Sequence, residues 1–298
     1  MPPTTEIHMN RPAAPALTCS ALALTASLAL TASLALAGAA QAQSAPADWS
    51  GPYVGVYGGA TQDNGQEDER LRFDRNLDGN YGDTVTLAAG GDAFSPGFCG
   101  GQAKGNSQPQ GCNDDAGGSF AGVRAGYDMQ FGAFVVGVAA DYGVGAQGDA
   151  VTGFSTTPAN YTFTRKLESI AALRARLGYA WGQALVYGTG GVARGRIENR
   201  FSTSNMANTF TATTNDDEAD GYQLGGGVEY RLAPNLSVTG EYLYTSLDAG
   251  DHVIRVGRGT APATNPFVLA PNTTGTDMIR SNSKFGMHAV TIGMSYRF

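Results

Sequence analysis

The chain has 298 residues, of which 42 are glycine, about twice the usual share, while 15 % are charged against about 25 % in an ordinary globular protein. With 42 % hydrophobic residues, a mean hydropathy of −0.18 and no apolar run near 20 residues past position 42, it is neither a disordered charged chain nor a polytopic helical membrane protein. A net charge of −7 leaves no basic stripe to neutralise phosphates, so nucleic acid is excluded as a partner.

Residues 1–42 read as a signal peptide. Ala21 to Leu36 is apolar and low in complexity, and Ala40-Gln41-Ala42 supplies an A-x-A cleavage signal. No Lys/Arg stop-transfer cluster follows, which favours removal after Ala42 over retention as an anchor. The mature chain, 43–298, is then exported into a compartment that permits disulfides.

From Trp49 onward the apolar residues recur with period two, the signature of strands. The first run, Trp49 to Ala60, is glycine-rich and its facing is ambiguous. The next alternates Ala121, Val123, Ala125, Tyr127 and Met129 with Arg124 and Asp128. Phe134, Val136, Val138, Ala140 and Tyr142 then oppose Asp141. Leu167, Ala171, Leu173, Ala175, Leu177 and Tyr179 oppose Lys166, Glu168, Arg174 and Arg176. Leu185, Tyr187 and Ala193 oppose Arg194, Arg196 and Glu198. Tyr222, Leu224 and Val228 oppose Glu229 and Arg231, and Leu236, Val238, Tyr242 and Tyr244 oppose Glu241. Last, Val290, Ile292, Met294, Tyr296 and Phe298 oppose Arg297.

Tight turns at 130–133, 181–183 and 233–235 alternate with long connections at about 61–118, 145–161, 199–219 and 246–281. All the long connections therefore lie at one end. The expected fold is all-β: a transmembrane eight-stranded antiparallel up-and-down barrel with long extracellular loops. A soluble lipocalin-like carrier has the same period with its faces reversed. Aromatic residues beside the short turns (Tyr127, Tyr179, Trp181, Tyr230) and both signs of charge on the polar face favour the membrane form. On that reading Arg124, Asp128, Asp141, Glu168, Arg174, Arg176, Arg194, Arg196, Glu229, Arg231 and Glu241 pair as a charge network in the lumen. Eight strands enclose a space that side chains nearly fill, so a porin-like channel for small solutes is the second reading.

The chain resembles the Omp25/Omp31-type outer-membrane β-barrels of α-proteobacteria, related to the small OmpA barrel. The match is carried by Trp49-Ser50-Gly51-Pro52-Tyr53-Val54-Gly55, by Leu173-Arg174-Ala175-Arg176-Leu177-Gly178-Tyr179-Ala180, by Leu185 to Ala193, and by the terminal Val290 to Phe298. The resemblance implies an envelope protein of the outer membrane that supports its integrity and makes external contacts through its loops. It implies outer-membrane lipid and lipopolysaccharide as surroundings. It also implies that Tyr296 and Phe298 form part of the C-terminal signal read by the barrel-assembly machinery. The first connection is far longer than usual for the family, and its extracellular ligand is unknown.

That connection holds ten acidic and four basic residues, a balance of −6 within the chain's −7. Asp74, Asn76, Asp78 and Gly79 match positions one, three, five and six of an EF-hand-like calcium loop, with Asn80 and Asp83 as later oxygens. Val85 stands where the bidentate glutamate belongs, and no helices flank the segment. An Asx/Gly-rich turn in a solvated acidic loop is the alternative. Calcium is the one cofactor this pattern suggests. Cys99 and Cys112, the only cysteines past residue 42, read as a disulfide closing a subloop, worth about 3 kcal/mol in chain-entropy terms.

Two catalytic or nucleotide readings are weak. Gly188-Thr189-Gly190-Gly191-Val192-Ala193 fits a dinucleotide fingerprint formally, yet it lies inside a strand with no following helix. His252, near Asp248 and Asp251, would serve a lipid-modifying barrel enzyme, but such a group is usually a solvated loop. No enzyme is expected.

Overall fold

The computed structural model describes residues 47–64, 69–115, 117–214 and 217–298. Residues 1–42, expected from the sequence to be a signal peptide, lie outside the described residues. Eight long strands carry the architecture: β1 (Gly51–Asp63), β2 (Gly118–Phe131), β3 (Phe134–Ser155), β4 (Ala159–Trp181), β5 (Ala184–Thr203), β6 (Glu218–Ala233), β7 (Leu236–Asp248) and β8 (Lys284–Arg297). Each pairs antiparallel with its neighbours in sequence, and β1 also pairs with β8 along Tyr53–Asp63. The pairings run right round, so no barrel strand is left with a free edge.

The short turns join β2 to β3, β4 to β5 and β6 to β7. Gly132 and Gly182 stand in two of them at φ 64° and 60°, backbone that L side chains rarely adopt. On β3, Phe134, Val136, Val138, Tyr142 and Val144 face outward and are exposed. That is about ten residues of apolar strand, roughly 25 Å of height at the usual tilt and rise, the thickness of a hydrocarbon layer. Val290, Ile292, Met294, Tyr296 and Phe298 repeat the pattern on β8. The first strand, ambiguous in sequence, resolves as Val54 and Val56 outward with Tyr53 inward and buried.

Glycines on the inner face make room for rings. A Cβ on Gly126 would lie 2.4 Å from the Tyr53 ring, and one on Gly143 2.1 Å from the Phe120 ring.

Three of the expected lumenal charges face outward. Arg194 and Arg196 have side chains 61 % and 65 % exposed, and that of Glu168 is 43 % exposed. The causes differ. On β4 a bulge between Leu167 and Ser169 inserts one residue, which flips the alternation, so Leu167 is buried and Glu168 turns out. On β5 both alternating sets are apolar near the short turn. Leu185 and Tyr187 are the inward set, packed with Trp49 and Val135.

The long connections differ from loops. The second is almost all strand, since β3 runs to Ser155 and β4 starts at Ala159. The other three supply one strand or more each to a separate antiparallel sheet of four, in the order Thr209–Ala212, Ile254–Gly257, Thr276–Arg280, Leu71–Asp74. This sheet and the extended ends of β3 and β4 enclose a second core, with Phe73, Phe94, Tyr161, Phe163, Phe267 and Met278 at its centre. Phe94 is its hub, with ring centroids 4.4 Å from Phe73, 5.1 Å from Tyr161 and 6.0 Å from Phe267. The result is a folded head on the barrel.

Candidate functional site

The candidate site is the interior, because a barrel's function turns on what fills it. From the short-turn end upward, the first closure is Trp49, fully buried, with Arg231 stacked over its ring at 4.6 Å. Arg231 also donates to the Asp48 and Pro234 carbonyls, at the barrel mouth.

Above Trp49 come arginines and carboxylates in groups of four. Arg176 and Arg297 pair with Asp128 and Glu229. Arg297 lies 2.8 Å from Asp128, Arg176 lies 3.5 Å from Asp128, and Arg176 also bonds Glu229. The next group joins Arg124 to Asp141 and Glu241 at 2.5 and 2.6 Å, and Arg174 to the same two acids at 2.9 and 3.3 Å. Tyr187 links these two levels: its hydroxyl donates to Glu241 at 2.9 Å, and Arg176 lies 4.0 Å over its ring. Then follows an apolar layer containing Phe120, Leu167, Ile197, Leu247 and Phe285. A third group roofs it, where Arg165 and Arg280 both pair with Asp149 and Glu69.

Each group holds two arginines and two acids, and each arginine reaches both acids. Every quartet is therefore neutral. A buried charge is tolerable only when paired and hydrogen-bonded, and here every charge has an opposite partner, although Asp128 Oδ1, Glu69 Oε1, Arg176 Nε and Arg280 Nε are buried without a hydrogen bond of their own. Of the expected network, Arg124, Asp128, Asp141, Arg174, Arg176, Glu229 and Glu241 meet in the quartets, whereas Arg231 bonds carbonyls at the mouth instead of a carboxylate. Sequence patterning missed Glu69, Asp149, Arg165 and Arg280, which lie beyond the apolar band on the strand extensions and connections. No local pattern marks them: Glu69 stands in the run Gln66-Glu67-Asp68-Glu69-Arg70, and Arg165 is followed by the exposed Lys166.

Beside the roof, burial pushes the Asp115 carboxyl up to about 6, aided by the nearby Asp149 and Asp63 charges and opposed by Arg280 and by the Ala150 amide it accepts at 3.2 Å. The Cys99–Cys112 disulfide is formed, with Cα atoms 6.1 Å apart. It ties Gly97–Gly100, which pairs with β3, to the small hairpin of Gln102–Ala103 and Cys112–Asn113.

In the acidic segment, Asp74 accepts the amides of Asp78 and Gly79 at 3.2 and 2.8 Å, and Asp78 accepts that of Asn80 at 2.8 Å. Asn76 Nδ2 donates to Asp78 at 3.0 Å, and Asp83 turns back to the amides of Arg75 and Asn76. The oxygens serve the turn, and an amide donor sits among them. Among the described residues no cluster of three or more His, Cys, Asp or Glu is placed to hold a metal.

His252 is buried edge-on to Phe163, with ring centroids 6.2 Å apart, and burial lowers its pKa. Asp248 is occupied by the Gly250 amide. The structure does not bring them together as a catalytic pair. Tyr296 and Phe298 face outward, with ring centroids 5.1 Å apart.

An apolar outer wall about one hydrocarbon layer high around a charged, closed interior defines a β-barrel of the outer membrane. Residues 29–298 match the family model described as the outer membrane protein beta-barrel domain, and the chain belongs to that family. It is 32 % identical over 231 residues to a 31 kDa outer-membrane immunogenic protein of Brucella melitensis, covering 72 % of this chain and 85 % of that one. A 22 kDa outer membrane protein of Rhizobium leguminosarum is 30 % identical over 135 residues, 45 % of this chain and 56 % of that one. The crystal structure of OprG from Pseudomonas aeruginosa aligns with 84 % of this chain and 97 % of that one, at 13 % identity and a TM-score of 0.44, too low to carry an inference.

Proposed function

We propose that this outer-membrane protein is a sealed structural barrel that displays a folded head outside the cell, supporting the envelope and making external contacts. The observation that carries the reading is the stack of three neutral quartets beneath the head, which leaves the interior filled by paired side chains. The immunogenicity in the Brucella relative's name supports outward display. A catalytic role is not part of the proposal, since the histidine–acid group stays apart. We assign the Asp74–Asp83 segment to a turn, with no calcium requirement. Tyr296 and Phe298 are assigned to the signal read by the assembly machinery.

Protease treatment of intact cells tests the display. The expected result is cleavage within the head, at 76–91 or 258–275, with the barrel strands protected. Complete protection of both segments in intact cells, with cleavage after lysis, would contradict the outward head.

A further inference from the structure

All four long connections reach one place in the head. A recess of about 340 Å³ is walled by Leu87 and Phe94 from the first, Pro158 from the second, Met206 from the third and Phe267 from the fourth. The rest of its lining is alanine, proline, hydroxyl and amide residues, with no acid or base among them. A cleft that shares Phe94 with it has Arg70, Arg72, Asp83 and Asp92 in its lining, so the absence of charge belongs to this recess and not to the head at large. Its size falls in the range of small-molecule sites, about 300–1,000 Å³.

Side-chain amides hold its walls in place. Asn208 and Asn265 exchange hydrogen bonds of 3.2 and 3.1 Å, and Asn208 also donates to the Gly257 carbonyl at 2.9 Å. Asn205 donates to Asn208 at 3.0 Å and to the Tyr161 hydroxyl at 2.9 Å. The third and fourth connections are thereby fixed to each other and to β4, so a ligand need not order them on entry. Phe94, Tyr161 and Phe267 pack on one another at its base, and each is at most 4 % exposed. They leave no ring face open to stack a second ring, and the accessible apolar lining is aliphatic: Leu87, Pro158, Pro266 and Met206. Met206 is set apart. Among the described residues, the other exposed large apolar side chains lie along the barrel wall, whereas Met206 stands on the head, 90 % exposed. Apolar surface left open to water marks a contact site, and an unbranched thioether adapts to what it covers.

We propose that this recess binds a small neutral amphiphile, an aliphatic chain ending in an uncharged polar group. The chain lies against Leu87, Pro158 and Pro266, and Met206 folds over it. The polar end meets the neutral hydroxyls and amides of the lining, among them Thr157, Ser204 and Asn205. An ionised end is selected against, because a charge taken out of water here finds no opposite charge to pair with. Selection thus works by omission: the lining offers hydrogen bonds and apolar contact and withholds charge. The site depends on the folded head alone, and neither on the sealed lumen nor on which side of the membrane the head faces.

The test uses purified protein in nanodiscs, labelled with ¹³C at the methionine methyls and titrated at pH 7 with octanamide and with octanoate. The two probes share a chain and differ in charge. Octanamide should shift the Met206 resonance saturably. Met129 and Met294, on the barrel wall, report partition into lipid and should shift only linearly. Octanoate should bind at least about tenfold more weakly, because its carboxylate is desolvated without a partner. A207W fills the recess and should abolish the Met206 response, with the Met278 resonance unchanged to show that the head is folded. T157K sets a cation in the lining and should turn the preference toward octanoate. A Met206 response that is linear and parallels Met129 and Met294 overturns the site, as does equal affinity for the two probes or a response that survives in A207W. Should A207W disturb Met278, T157K decides: an unchanged preference for octanamide overturns the proposal.

Discussion

The barrel and the head are built from the same material, antiparallel strands with period two, and are turned inside out relative to each other. The barrel buries Arg174, Asp141 and Glu241 and exposes Val138, Leu177 and Ile292. The head buries Phe94, Phe163 and Met278 at its centre and turns charges such as Arg72 and Asp78 outward. Alternation alone does not say which face is inside; the solvent does. Where the outside is hydrocarbon, polar groups turn inward and must pair completely, and where it is water, the hydrophobic effect restores the usual order.

The comparison predicts that the two regions fail in different ways. The largest effect is expected from Arg174→Ala, which strands Asp141 and Glu241 against one remaining arginine. Losing one partner of a buried ion pair costs about 3–5 kcal/mol. The barrel should lose its heat-modifiable gel shift at much lower urea, while R174M/E241Q, which leaves the Arg124–Asp141 pair balanced, should recover most of the loss. A variant of full wild-type resistance would show that the quartet is not structural.

Phe94→Ala should cost a similar amount, about 3–5 kcal/mol, but only in the head. Proteolysis within 76–91 should accelerate and hydrogen exchange rise along Ile254–Gly257, with the gel shift unchanged. Simultaneous collapse of the barrel would mean that the regions fold as one unit.

Reducing the Cys99–Cys112 bond should have a smaller effect, up to about 3 kcal/mol on the subloop it closes. Faster cleavage between 100 and 111 after reduction is the expected readout, and unchanged cleavage would assign the order there to strand pairing alone.

The smallest effect concerns pH. The Asp115 carboxyl, held up at about 6 by burial, binds a proton in the folded head at pH values where the unfolded chain has released it. Its ionisation opposes folding, so head stability should rise as pH falls from 7 toward 5, and Asp115→Asn should flatten that rise. Melting of wild type and variant at pH 5 and 7 checks the sign. Calcium and chelator should give equal melting temperatures if Asp74–Asp83 is only a turn.

The strands and short turns were legible because most long runs repeat their period several times, and glycine marks two of the turns and Pro234-Asn235 the third. Two faces were not. Glu168 was misassigned because a single-residue bulge leaves no sequence mark. Arg194 and Arg196 were misassigned because Val186 and Val192 compete with Leu185 and Tyr187 for the same face. The head was illegible for a third reason: its sheet is made of strands of four or five residues, and Asp74 pairs with Asp277 from the opposite end of the chain. Short alternations such as Leu71-Arg72-Phe73 carry no information about so distant a partner. The signs of the lumenal charges could be read, whereas their grouping into quartets needed the register.

Single-channel recording of the purified protein in a planar bilayer tests the central claim most directly, since a lumen closed by paired charges passes no ions. The account predicts no stable large conductance from wild type across ±100 mV. Steady, long-lived openings of porin-like size, from protein that shows the folded gel shift, would contradict it.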